Sequence, residues 1–209
     1  MEYRDGASLT ESLHVESETL QGKQKAYGVE TMLRKDAGTL NGWVSYTWSR
    51  SFMLVDLPGS GEQINGGLPY PSNFDRPHNI SMVFNYKRGR RVNLSANLVY
   101  MTGRPSTYPV SVYYGYEIPY IQYSDRNKYR IPDYFRLDVS MNIEGSLRRY
   151  KKFHSFWMLG VYNLTGRDNA YSVFFENEHG LIRGYKLSIF TQPVFTVSWN
   201  VKLGNYASE

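Results

Sequence analysis

The sequence contains no cysteine. That excludes disulfides, thiol catalysis and cysteine-based zinc sites. It also lacks any run of about 18 apolar residues, so no helix of membrane-spanning length is encoded. The opening residues, Met1-Glu2-Tyr3-Arg4-Asp5-Gly6, carry no apolar segment, and no signal peptide is visible. An exported protein of this sequence is therefore expected to be a mature form or a piece of something longer. Charge of one sign is scarce as well: 24 Lys and Arg face 19 Asp and Glu, for a formal charge of +5. The basic clusters Lys87-Arg88-Gly89-Arg90-Arg91 and Arg148-Arg149-Tyr150-Lys151-Lys152 read as solvated hairpin turns. Without a continuous basic face or a known motif, no nucleic-acid partner is expected.

Catalytic patterns are missing too. Gly59-Ser60-Gly61 lacks the Lys-Ser/Thr and the following helix of a P-loop. The histidines, His14, His78, His154 and His179, are scattered near loops and strand ends, as surface or capping residues are. Asp133 and Asp138 fall on strand positions, and Asp138 reads as the ion-pair partner of Arg136 rather than as half of an acid/base couple. No Ser/His/Asp order or metal-ligand spacing stands out. The expectation is no enzyme, no cofactor and no metal.

What the sequence does have is aromatic residues and alternation. Aromatics make up 16% of the chain, with 19 Tyr. Such rings suit membrane–water interfaces, with an apolar body in lipid and a polar tip in water. Mean hydropathy is −0.51, which suggests solubility but is also normal for a membrane barrel whose strands alternate. In Phe135 to Ile143, the residues Phe135, Leu137, Val139, Met141 and Ile143 share one face. Arg136, Asp138, Ser140 and Asn142 share the other. A period of two is a β-strand with one apolar and one polar surface.

The pattern recurs. Tyr27, Val29, Thr31 and Leu33 share a face in a strand over 25–36. Gly42, Val44, Tyr46 and Trp48 alternate with Trp43, Ser45, Thr47 and Ser49 in a strand reaching about Leu54. Ile80, Met82, Phe84 and Tyr86 oppose Asn79, Ser81, Val83 and Asn85. Val92, Leu94, Ala96, Leu98 and Tyr100 oppose Asn93, Ser95, Asn97 and Val99. A mostly apolar strand is expected over 154–176, ending in the punctuation Asn163 to Arg167, with a further turn around 177–184. A last strand sets Phe195, Val197, Trp199, Val201 and Leu203 against Thr196, Ser198, Asn200 and Lys202. Seven strands are counted, or eight if residues 1–4 finish one.

The connections alternate in length. Short turns at 37–39, 88–91 and 146–153 are separated by long loops at 56–77, rich in Gly and Pro, and at 102–133, rich in Tyr and Pro. In an up-and-down sheet this puts every long loop at one end, the asymmetry of outer-membrane barrels. The fold expected is thus all-β, an antiparallel up-and-down transmembrane β-barrel. Residues 1–24 form a lead-in strand end and outside loop, 25–204 the barrel strands, and 205–209 a tail. A charged side chain at the bilayer midplane costs about 2–4 kcal/mol, so the apolar row faces out. Leu94, Leu98, Leu137, Val139, Met141, Val197 and Trp199 are the expected lipid-facing residues. A soluble β-sandwich explains the alternation, but not the loop asymmetry, strand length or Tyr content. In the Tyr-rich loop, Tyr113, Tyr114, Tyr116 and Tyr120 are candidate ligand contacts, since rings stack on sugars and other flat ligands.

Four stretches resemble the C-terminal barrel of TonB-dependent outer-membrane receptors. They are Lys25-Ala26-Tyr27-Gly28-Val29-Glu30, Asn41 to Arg50, Phe74-Asp75-Arg76-Pro77-His78, and Tyr134-Phe135-Arg136-Leu137-Asp138 taken with Val161 to Arg167. In this order they run through most of the chain from about residue 22. The resemblance implies the last strands of a plugged barrel of about 22 strands, in the cell outer membrane with its long loops extracellular. Such a receptor takes up a large or scarce nutrient, a siderophore, glycan or similar, without covalent chemistry. The implied partners are outer-membrane lipid, an N-terminal plug and the earlier barrel strands, the TonB complex acting through that plug, and the barrel-assembly machinery. The family's last strand ends on an aromatic residue. Here the alternation stops at Leu203 before Gly204-Asn205-Tyr206-Ala207-Ser208-Glu209. The other reading is a small self-closed outer-membrane barrel with a structural or adhesive role.

Overall fold

The structure is a computed structural model, and it describes residues 2–3, 19–57, 62–115, 118–145, 151–178 and 181–206. Alternation of apolar and polar residues produces what it should, long strands that bend round tight turns. We label them in chain order: β1 (Lys23–Lys35), β2 (Leu40–Leu54), β3 (His78–Arg88), β4 (Val92–Met101), β5 (Pro109–Gly115), β6 (Ile118–Tyr123), β7 (Tyr134–Glu144), β8 (Lys151–Tyr162), β9 (Ala170–Glu178), β10 (Leu181–Ser188) and β11 (Val194–Tyr206). Among the described residues the fold is all-β apart from a short 3-10 turn at Asn65–Gly67.

Seven of these strands make one antiparallel sheet in the order β11-β8-β7-β4-β3-β2-β1, with the two-residue segment Tyr70–Pro71 added beside β2. Each inner strand pairs with the one before and after it in this up-and-down path. The β3–β4 turn is closed at Gly89, whose φ of +74° is reached readily only by glycine. In β2, a Cβ on Gly42 would lie 2.0 Å from the Val83 carbonyl oxygen, so glycine lets the β2 and β3 backbones approach there.

The register carries the two-faced pattern across the sheet. Leu33, Val44, Met82, Leu98 and Leu137 stand directly opposite one another in successive strands. Another row runs Tyr86, Leu94, Met141, Leu159 and Val197, and a third Val92, Ile143, Trp157 and Trp199. Paired residues share a face, so all seven expected lipid-facing residues lie on one side. The opposite side reads Asn41, Asn85, Ser95, Ser140, Gly160 and Thr196. It is knitted by Ser95 Oγ donating to Asn85 Oδ1 at 2.8 Å and Asn85 Nδ2 to Asn41 Oδ1 at 3.3 Å.

Several boundaries differ from the sequence reading. Residues 154–176 are not one strand: β8 stops at Tyr162, and β9 pairs only with β10, as a hairpin outside the main sheet. Asn163 and Gly166, with φ of +53° and +62°, turn the chain between them. Of the turn expected at 177–184, residues 177–178 and 181–184 are paired strand, and 179–180 lie outside the described residues. The loop 102–133 holds its own hairpin, β5–β6. Residues Glu2–Tyr3 pair with Thr19–Leu20 and add no eighth long strand. The last strand continues to Tyr206 rather than ending in a tail from 205.

Burial is concentrated away from the sheet. Leu20, Val55, Ile64 and Tyr70 form the buried cluster, with Met53 and Leu57 packed on it. It sits among the long connections, at the end of the sheet where β2 finishes. On the apolar face, Leu33 is 76%, Val197 66% and Leu203 80% exposed. Among the described residues no second layer of protein covers that face.

Candidate functional site

The long connections 55–77, 102–133 and 163–193 meet at one end of the sheet, and Asp75 joins the first two of them to β2. Its side chain is fully buried. The Ser51 amide donates to its Oδ1 at 2.7 Å and Arg50 Nε to the same oxygen at 3.1 Å. Arg130 forms an ion pair with Oδ2 and donates to the Asp75 carbonyl at 2.6 Å and to the Gly103 carbonyl at 3.0 Å. Burial pushes the Asp75 carboxyl up, but the Ser51 amide and the two guanidiniums outweigh it and hold the group below its ordinary value. One carboxylate thus ties β2 to two separate loops.

Two further residues extend the join. Asn127, buried and at φ +57°, donates from Nδ2 to the Pro71 carbonyl at 2.8 Å and to Asn73 Oδ1 at 3.0 Å. Asp133 lies one residue ahead of β7, not on a strand position as its sequence context suggested. It accepts from the Gly103 amide at 2.9 Å and from the Tyr100 hydroxyl at 2.7 Å. The Gly103 amide, chiefly, keeps its carboxyl below the ordinary value despite partial burial. In the third loop, Asn169 bonds both the amide and the carbonyl of Phe135, at 2.9 and 2.8 Å, as a neighbouring strand would.

The sequence candidates are scattered over this layer. Tyr113 and Tyr120 stack across β5 and β6, with centroids 5.5 Å apart and planes 14° apart. Tyr114 accepts a bond from Asn177 Nδ2 of the third loop at 3.3 Å. All three rings are about half exposed. Tyr116 lies outside the described residues, as do His14, His179 and Gly59-Ser60-Gly61. Arg136 and Asp138 do pair, Nε to Oδ2 at 3.0 Å, on the polar face. His78 Nδ1 meets the Tyr46 hydroxyl at 2.9 Å and His154 Nε2 meets Glu144 Oε2 at 2.6 Å. Among the described residues no three His, Asp or Glu come together to hold a metal ion.

What sequence reasoning missed is a cleft of about 430 Å³ at the base of these loops, opening on the polar side of the sheet. Its members come from residues far apart in the chain, so no local spacing marks it. Comparison with known proteins identifies no relative: no family model, no curated protein and no solved structure matches the chain.

Proposed function

We propose that this chain is a wall segment of an outer-membrane β-barrel transporter of the TonB-dependent receptor kind. The observation that carries the reading is the continuous apolar face, registered across seven strands, over which no second layer of protein lies among the described residues. A soluble domain of this length hides such rows in a core, and so large an exposed apolar surface marks a contact with lipid or another protein. Strands of 10 to 15 residues exceed the five or six usual in soluble sheets and suit a tilted strand crossing a bilayer. The Ser/Asn face would line the wet or plugged interior, and the loop layer would stand outside the cell. Leu94, Leu98, Leu137, Val139, Met141, Val197 and Trp199 would face lipid.

In this role the chain performs no covalent chemistry. It supplies wall and outer loops to a barrel completed by further strands, filled by a plug and energised through it. The order of the sheet favours completion by other strands over self-closure, since β1 and β11 lie at opposite edges and each pairs with one neighbour.

The test is partitioning. The full chain is refolded with and without detergent or lipid vesicles and run on size exclusion. The expected result is aggregation in plain buffer, from unpaired edges and the bare face, and dispersed, sheet-rich protein with detergent or lipid. A clean monomer in plain buffer overturns the reading.

A further inference from the structure

We infer that the cleft at the base of the loops binds a small organic carboxylate with an aromatic or aliphatic body. This deepens the transport reading by naming a ligand chemistry, and rests on that reading for its role though not for the binding itself.

The floor is made by β7 and β8. Arg136 lies over the Tyr162 ring, 4.6 Å from its centroid, and donates to the Tyr162 hydroxyl at 2.7 Å and the Tyr134 hydroxyl at 3.1 Å. Each phenol oxygen accepts there and keeps its own O–H to give. Phe190 stands edge-on to Tyr162, with centroids 5.4 Å apart. Ile131, Tyr171 and Ile189 add apolar wall.

Charge at the rim is one-sided. Arg76 and Arg104 line the cleft, and no Asp or Glu does. Asp138 balances Arg136, but nothing equivalent balances the other two. Among the described residues Arg76 and Arg104 meet no carboxylate within ion-pair distance, and the polar contact of the Arg76 head is the Met101 sulfur at 3.2 Å. Every other arginine of the loop hub is committed: Arg50 and Arg130 to Asp75. The same two residues also border a neighbouring polar cleft with Asn73, Ser106 and Thr107, and Arg104 is exposed. A guanidinium fork matches a carboxylate in shape and charge. Two unpaired forks beside phenol donors and an apolar wall thus fit an acid head and a hydrophobic body. The volume is in the range of small-molecule sites.

The experiment is a calorimetric titration of the refolded full chain in detergent micelles with 4-phenylbutyrate, against 4-phenylbutyramide, with empty micelles as blank. The acid is expected to bind at least roughly tenfold tighter than its neutral amide, the usual worth of a charge-assisted hydrogen bond. Arg76→Gln with Arg104→Gln is expected to bring the acid down to the amide's level and leave the amide unchanged. Amide binding retained in that variant shows that it is folded. Equal binding of acid and amide, no binding of either, or acid preference that survives the double substitution overturns the inference. If the chain proves monomeric in plain buffer, the transport reading fails. The same titration run in buffer then judges the cleft independently.

Discussion

The sheet and the loop layer at its end are held together in opposite ways. The sheet is held by ladders of backbone hydrogen bonds, and its apolar rows meet their neighbours within the sheet, with no second layer of protein over them among the described residues. The loop layer has two hairpins and a few short pairings for regular structure, yet it holds the buried cluster of Leu20, Val55, Ile64 and Tyr70 and the fully buried Asp75. In a water-soluble domain the apolar rows of the sheet would be the core. Here the hydrophobic contribution of those rows, about 25 cal/mol per Å² removed from water, depends on what surrounds the chain. The loop layer carries its own stabilisation. The two regions should therefore answer to different perturbations: the loops to internal substitutions and acid, the sheet to the medium.

The largest expected effect is in the loops. Asp75→Asn leaves Arg50 and Arg130 without their counter-charge, and breaking a buried pair by removing one partner costs about 3–5 kcal/mol. Hydrogen exchange at the Ser51 and Ser72 amides should accelerate, while amides in the middle of β4 and β7 keep their protection. Equal acceleration in both regions would mean that they are one cooperative unit. The pH dependence follows from the same group. Its folded-state pKa lies below the ordinary 3.8, so its stabilisation is present above that pH and is lost as pH falls through the lower folded value. The native loops should stay protected from neutrality down to about pH 4 and loosen only in stronger acid. The variant should be loose at neutral pH already.

The matching perturbation of the sheet is Val139→Arg, compared with Ser140→Arg one residue along. The first puts a charge on the apolar face and the second on the polar face. If lipid wets the apolar face, Val139→Arg lowers the stability of the vesicle-inserted protein by about 2–4 kcal/mol. Ser140→Arg, among Ser95, Gly160 and Thr196, should cost much less. Urea titration of vesicle-bound protein reads the difference. Indistinguishable midpoints would remove lipid from the argument.

Asn127→Ala should fall between hub and surface. It forfeits two hydrogen bonds that join the first and second loops, and it places alanine at φ +57°. The cost expected is about 2 kcal/mol, read as faster exchange in 104–130 without change in β7.

How much of this was legible in the sequence follows the same division. The strands of the sheet were, because a period of two is written locally and each residue's face follows from its parity. Leu137 and Leu98, placed on one face from two separate stretches, are direct cross-strand partners. The loop layer was not, because its order comes from contacts distant in sequence. Asp75 showed only as part of a Phe-Asp-Arg-Pro-His string, and nothing local tells that Arg130, 55 positions on, closes over it. β9 was joined to β8 in the sequence reading because both are rich in apolar and aromatic residues. The left-handed Asn163 and Gly166 that separate them are backbone features which composition alone does not fix. The cleft was illegible for the same reason, since Arg76, Arg104 and Phe190 come from three different connections.

The smallest effect expected tests whether the protruding hairpin of β5 and β6 belongs to either region. Tyr113 and Tyr120 stack, but both rings are about half exposed, and such a pair contributes about 0.5–1 kcal/mol beyond its area. Tyr120→Ala should therefore loosen exchange only within 109–123. It should leave Ser51 and the β7 amides unchanged, because the hairpin's partners lie in the loops rather than in the sheet. Those partners are the β9–β10 hairpin, through Tyr114 and Asn177, and the Tyr108 ring against Phe175 at 4.8 Å. If the substitution also loosens β9 and β10, the two hairpins form one unit standing on the loop layer. If it reaches the Asp75 hub, the loop layer is a single cooperative body, and the boundary that matters runs only between it and the sheet.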